Sequence, residues 1–156
     1  MIIEVKGDLL NAKVEMLLEC SNCFCTHSAG LAKQVKARYP EVYIADLGTR
    51  IADHKKLGTI LPVLVSSSFN YDIKVVCLCY GQFRFGTERR QLNYEAFYQC
   101  MERVKEYCVK NKITKIGCPK YIGSRLAGGD YLIIRTMLES VFGSHPDIIL
   151  TICEFP

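Results

Sequence analysis

What most narrows the fold of this chain is a repeated change of period along it. Short apolar runs of strand length lie at residues 2–5, 16–21, 73–80 and 114–118. Between and after them come stretches with helical spacing. The clearest is 92–110, where Phe97, Cys100, Met101, Val104 and Cys108 recur on one face. Residues 28–39 read as a second helix, with Leu31, Ala32, Val35 and Tyr39 on one side and Lys33, Lys36 and Arg38 elsewhere, ended by Pro40. A short helix is expected over 41–47, a strand over 59–65 and a turn over 66–72. Pro62 moves the strand at 59–65 towards a sheet edge. Residues 129–142 read as a helix with Asp130 near its positive end, closed by Gly143 and Pro146, and 148–155 as the last strand. Strands and helices that alternate in this way predict an α/β fold: a mixed, mostly parallel sheet with helices on both faces. With no internal repeat and no linker, residues 1–156 read as one domain.

Composition removes several classes of function. Apolar residues make up 49% and charged residues 23%, an ordinary globular balance. No run approaches the roughly 20 apolar residues of a membrane span. An acid at Glu4 and the lack of a basic opening segment argue against a signal peptide. The net charge of +4 suits an anionic ligand but is too small to argue for nucleic acid. Nine cysteines, an odd number set mostly in apolar runs, read as reduced buried thiols in a reducing, cytoplasmic setting. Cys20, Cys23 and Cys25 form CxxC and CxC spacings, but zinc wants a second pair at a suitable distance, so neither a metal site nor a cofactor is expected.

In a sheet of this kind ligands sit beyond the carboxyl ends of the strands, in loops that run into helices. Two segments hold that position: 22–29, with Thr26, Ser28, Ala29 and Gly30 at or beside its end, and 123–129, reading Gly123-Ser-Arg-Leu-Ala-Gly-Gly129. Small residues let the backbone approach a phosphate, and a helix start offers free N–H groups. Neither loop fits GxGxxG or the P-loop pattern. Each alone is equally an ordinary turn.

Four blocks, taken in order, carry a family resemblance. They are Val5-Lys-Gly-Asp-Leu9; Cys20-Ser-Asn-Cys-Phe-Cys-Thr-His-Ser-Ala-Gly-Leu-Ala32 with the following Ala37–Asp46 and Lys56-Leu-Gly-Thr59; Tyr80-Gly-Gln-Phe-Arg-Phe-Gly86 with Leu92-Asn-Tyr94; and Leu126-Ala-Gly-Gly-Asp-Tyr131. The chain resembles the macrodomains, and within them the phage-type ADP-ribose-1″-phosphatase-like branch. The resemblance implies a three-layer α/β/α fold and ADP-ribose, or ADP-ribose 1″-phosphate, as ligand. An ADP-ribosylated protein is implied as a further partner. It also implies metal-independent hydrolysis at the distal ribose, either phosphatase action or cleavage of an ADP-ribosyl ester. A binding module without turnover is the alternative.

By position, the resemblance puts Asp8 and Leu9 at the adenine, with Phe155 against the ring. Asn22 would orient the distal ribose. Ser28, Ala29, Gly30 and Leu31 would flank the diphosphate from one side, and Gly123, Ser124, Arg125 and Leu126 from the other. Tyr80, Gln82 and Arg84 would rim the distal end. Plain structural roles stand beside these: a turn cap for Asp8 and Asn22, a core aromatic for Phe155, a solvated loop for the rim. Two departures from the family pattern stand out. Ser28 replaces a glycine of an MGSGIA-like loop, and Arg125 replaces the middle glycine of a GAGLAGGD-like loop. An arginine there can clamp a phosphate or fill the pocket. Asn22, His27 and Asp130 are the candidate catalytic residues. An imidazole titrates near neutrality and so suits His27 as a base, and Asp130 is equally a helix-start acid.

Overall fold

The structure, a computed structural model, describes residues 1–66 and 69–156. The turn expected over 66–72 lies partly outside these residues. The strands are β1 (Ile2–Lys6), β2 (Met16–Asn22), β3 (Ile60–Leu64), β4 (Val75–Gln82), β5 (Lys115–Pro119) and β6 (Ile149–Glu154). The helices are α1 (Gly30–Arg38), α2 (Pro40–Leu47), α3 (Tyr94–Asn111) and α4 (Tyr131–Leu138). A π turn, Glu139–Gly143, extends α4.

One six-stranded sheet runs in the order β1-β6-β5-β2-β4-β3. Every pair is parallel except β3 with β4, so β3 is an antiparallel edge. Pro62 can sit in β3 because an edge strand has one side free of ladder bonds. The central strands are apolar on both faces. On β4, Val75, Cys77 and Cys79 face one core, and Val76, Leu78 and Tyr80 face the other. The first core is closed by α3 and α4, through Phe97, Met101, Val104, Ile134 and Leu138. The second is closed by α1 and α2, through Val35, Tyr39 and Val42. Helices thus cover both faces, and no described helix is long and apolar enough to cross a membrane.

Some boundaries differ from the periodicity. The helix expected from residue 28 starts at Gly30, because residues 23–29 form a loop whose last residue, Ala29, is extended. The last helix, expected over 129–142, begins at Tyr131, with Asp130 outside it as a cap accepting from Leu132 N at 2.9 Å. Pro40 does not only end α1. It also occupies the first position of α2, where its missing N–H costs nothing.

The ring of Phe97 is fully buried in the α3–α4 core. Phe97→Ala should lower unfolding free energy by about 3–5 kcal/mol, read as a shift of the urea midpoint. A shift below about 1 kcal/mol would show that α3 is not docked as described.

Candidate functional site

Five parallel strands end at one edge of the sheet. Asp8 follows β1, the 22–29 loop follows β2, residues 83–92 follow β4, the 120–130 loop follows β5, and Phe155 follows β6. The two central loops leave neighbouring strands, β2 and β5, and then part. The chain after β2 goes to the α1–α2 face and the chain after β5 to the α4 face. Such a parting opens a crevice at the strand ends, which is where ligands bind in open α/β sheets. The loops still meet across it: a Cβ on Gly30 would stand 3.8 Å from Leu126 Cδ1.

The β5 loop is shaped by glycine. Gly123 and Gly128 have φ of +71° and +76°, a region that side chains disfavour. A Cβ on Gly129 would lie 2.5 Å from Leu92 Cδ2 and 2.7 Å from Gly123 O, so only glycine lets this turn close. Ala127 O accepts from the backbone of Gln91 and Leu92, which ties the loop to the segment after β4. Arg125 and Leu126 are exposed, and the Arg125 guanidinium lies 4.7 Å from the centroid of the Tyr121 ring. Ser124 Oγ donates to Tyr121 O at 2.9 Å.

The β2 loop is held from within. Asn22 is buried, and its Oδ1 accepts from Phe24 N at 2.9 Å and Thr26 N at 3.4 Å while its Nδ2 donates to Thr26 O. Ser28, Ala29 and Gly30 are exposed and Leu31 is half-buried. Ala29 precedes α1 without a side-chain cap, so among the described residues the first-turn N–H groups of α1 have no side-chain acceptor. At α4 the situation is reversed, since the Asp130 carboxylate already fills that role.

The remaining sequence candidates are spread along the edge. Asp8 caps the turn Leu9–Asn11, accepting from Leu10 N at 3.0 Å. The Leu9 side chain is buried in the α1–α2 core, which leaves its backbone for any contact outside. Phe155 is exposed beyond β6 rather than packed in the core. Gln82 donates to Arg84 O at 2.9 Å, and Arg84 lies over the rings of Phe24 and Phe83. Tyr80 does not rim the site. It is buried, and its hydroxyl donates to Asp46 Oδ1 at 2.6 Å.

His27 is neither a surface histidine nor open to the crevice. It is 6% exposed, with Nε2 bonded to Asp46 Oδ2 at 2.6 Å and Nδ1 3.7 Å from Glu19 Oε1. Glu19 and Asp46 are both buried, and the Glu19 oxygens have no hydrogen-bond partner among the described residues. Burial pushes the Glu19 carboxyl up to about 7; His27 pulls it down and Asp46 up by smaller amounts. Burial also acts to raise Asp46, but hydrogen bonds from His27 and Tyr80 outweigh it and hold the carboxyl below its ordinary value. Lys56 is buried alongside, donating to Thr49 Oγ1 at 2.7 Å and to Cys23 O at 3.3 Å. Sequence reasoning missed this cluster. The signals were an acid, Glu19, inside an apolar strand, and another, Asp46, in the last turn of α2, where it opposes the helix dipole.

All nine cysteines are free thiols. Burial pushes Cys23 up to about 11 and raises Cys20 further still, so neither is a thiolate near neutrality.

No family model matches the sequence. An uncharacterized 17.5 kDa protein of Enterobacteria phage T4, from the tk-vs intergenic region, is 31% identical over 152 residues, covering 94% of this chain and 92% of its own length. The macrodomain of Mycobacterium tuberculosis DarG superposes with a TM-score of 0.82 at 22% identity, covering 98% of this chain and 97% of that one. Thermosipho africanus DarTG, solved in complex with ADP-ribose, gives a TM-score of 0.80 at 18% identity over 97% of this chain and 41% of its own. The chain belongs to the family of the T4 protein, and its fold is the macrodomain fold. The β2 and β5 loops therefore stand at the strand ends of a macrodomain fold.

The raised Glu19 carboxyl has a signed consequence for stability. A folded value near 7 against an ordinary 4.5 means the folded state holds a proton that the unfolded chain gives up. This contribution is complete below about pH 4.5 and is lost as pH rises to about 7. The wild type should lose on the order of 3 kcal/mol across that window, and Glu19→Gln should remove the loss, as read by urea unfolding at each pH. Parallel pH profiles for the two proteins would contradict the assignment.

Proposed function

We propose that this protein binds ADP-ribose or a close derivative along the strand-end crevice, with the diphosphate over the uncapped start of α1. The observation that carries the reading is the parting of two small-residue loops from adjacent parallel strands, one of them entering a helix with free N–H groups. At α4 the Asp130 carboxylate repels an anion, so the two helix starts are not equivalent. Arg125 on the β5 loop and Arg84 beyond β4 supply positive charge at the mouth, and the guanidinium plane of Arg125 suits a phosphate. From β1 to β4 the strand ends span about 19 Å. An extended ligand fits that length with its adenine near Asp8 and Phe155 and its distal ribose near Asn22, Gln82 and Arg84. The likeness to a structure solved with ADP-ribose supports the same reading. Kinship with the T4 protein supports a place in the phage-type branch, and the bound ADP-ribose can be one displayed on a modified protein.

A specific observation favours recognition over turnover. Asn22 is committed to its own turn, His27 to Asp46, and Asp130 to the α4 cap. No candidate acid or base among them stands free in the crevice, as proton transfer to a bound substrate requires. We therefore place hydrolysis at the distal ribose second. Calorimetric titration with ADP-ribose should give binding that Asp8→Ala and Arg125→Ala each weaken roughly tenfold. No heat at millimolar ligand would overturn the reading. Phosphate release from ADP-ribose 1″-phosphate that Asn22→Ala abolishes would reinstate the hydrolase.

A further inference from the structure

The β2 loop is fastened to the body of the protein mostly through buried side chains beneath it. Cys25 Sγ donates to Asp46 O at 3.2 Å, Lys56 Nζ reaches Cys23 O, and His27 Nε2 meets Asp46 Oδ2. Asp46 is fixed in turn from β4 by the Tyr80 hydroxyl. Of these ties, His27 lies nearest the exposed residues 28–30 at the crevice. It is also the one tie that joins two buried carboxyl groups, from β2 and from α2.

We infer that His27 is a positioning residue, which ties residues 28–30 to α2 through Asp46 and, through its contact with Glu19, makes the hold of this loop on an anionic ligand depend on a proton. The inference rests on the reading of the crevice as an ADP-ribose site. Asp46 accepts from Tyr80 and from His27 Nε2–H, so Nδ1 is the nitrogen turned to Glu19. With a proton on Glu19, one negative charge in this group faces the ring. Without it, carboxylates stand on both sides of His27, buried and directly under the loop that would receive the diphosphate. In an interior screened less than water, that second charge repels an anion above more strongly than an exposed carboxylate would. The other groups facing the cluster are few. Lys56 and the Tyr80 ring flank Asp46, and the Cys25 thiol donates to Asp46 O, whereas the thiols of Cys20 and Cys79 lie on the opposite face of the sheet, against the α3–α4 core. The Tyr43 ring packs edge-on against His27, with Lys36 Nζ 3.9 Å from its centroid. Of these groups only Glu19 has its carboxyl pushed to about 7.

Linkage then requires that binding of an anion favour the protonated cluster, so ligand uptake near neutrality carries a proton with it. The test is ADP-ribose titration between about pH 5.5 and about pH 8.5, in buffers of different ionisation heat, together with hydrogen exchange of residues 26–31. The wild type should bind more tightly on the acid side, with net proton uptake near pH 7. Glu19→Gln should bind at least as well with a flat profile and no uptake. His27→Ala should weaken binding roughly tenfold and speed exchange across the loop. His27→Gln, which can still donate to Asp46, should restore slow exchange, while the profile, still set by Glu19, moves to higher pH because the ring that lowers its carboxyl is gone. Failure of the ligand reading looks different: no variant binds ADP-ribose, and exchange decides alone, with slow exchange in His27→Ala overturning the inference and fast exchange rescued by His27→Gln upholding it. Where binding is seen, a Glu19→Gln profile that follows the wild type, or His27→Ala affinity equal to wild type, overturns it.

Discussion

Met16 and Leu17 pair in parallel with Ile116 and Gly117, and this short ladder sets the carboxyl ends of β2 and β5 side by side at the centre of the sheet. Because the strands are parallel, both chains must leave at the same edge. Because each face of the sheet is apolar, each chain must then turn to cover one of them. One goes to the α1–α2 core and the other to the α4 core, so the two loops cannot fill the space between them. The crevice is a by-product of covering a parallel sheet on both faces. Gly117 shows how tightly this pairing is packed: a Cβ there would come 2.9 Å from Leu9 Cδ1.

The β2 loop is the less economical half of the site. Its residues 23–29 make no helix or strand, and what holds them is a set of polar groups removed from water. Burying Glu19 without a partner is unfavourable by an amount comparable to several ordinary hydrogen bonds. The protein lowers that cost by keeping a proton on the carboxyl up to about pH 7. Asp46 takes the opposite course and stays ionised, because His27 and Tyr80 both donate to it. Two acids of similar type, close together and buried, are thus driven to different protonation states: Glu19 by burial without a hydrogen-bond partner, Asp46 by the donors and the positive charge that meet it.

The architecture was legible where periodicity is strong. Residues 92–110 and 73–80 carry enough apolar repetition that tertiary packing could only confirm them as α3 and β4. The antiparallel setting of β3 could be anticipated in part, since Pro62 restricts a strand to an edge, though not which edge. Loop ends were less legible, because Gly30 and Asp130 mark helix starts that depend on how residues 23–29 and 120–129 are pinned from elsewhere. The candidate site was legible as a pair of small-residue loops, around which the resemblance proposed the other residues. The environment of His27 was not. Its partners, at positions 19 and 46, come from a strand and a helix that only the folded topology brings together, and a single histidine beside a serine reads as a loop residue. Tyr80 was misread for a similar reason: it lies near the carboxyl end of β4, yet alternation turns its side chain inward to Asp46.

The central claim is that a nucleoside diphosphate sugar lies between the β2 and β5 loops. Backbone amide shifts recorded during an ADP-ribose titration test it most directly. The account predicts the largest changes at residues 28–32 and 121–129, smaller ones at Asp8 and Gln82, and none in the shallow groove between α3 and α4 around Tyr98, Thr136 and Ser140. Changes centred on that groove, with the two loops unmoved, would contradict it.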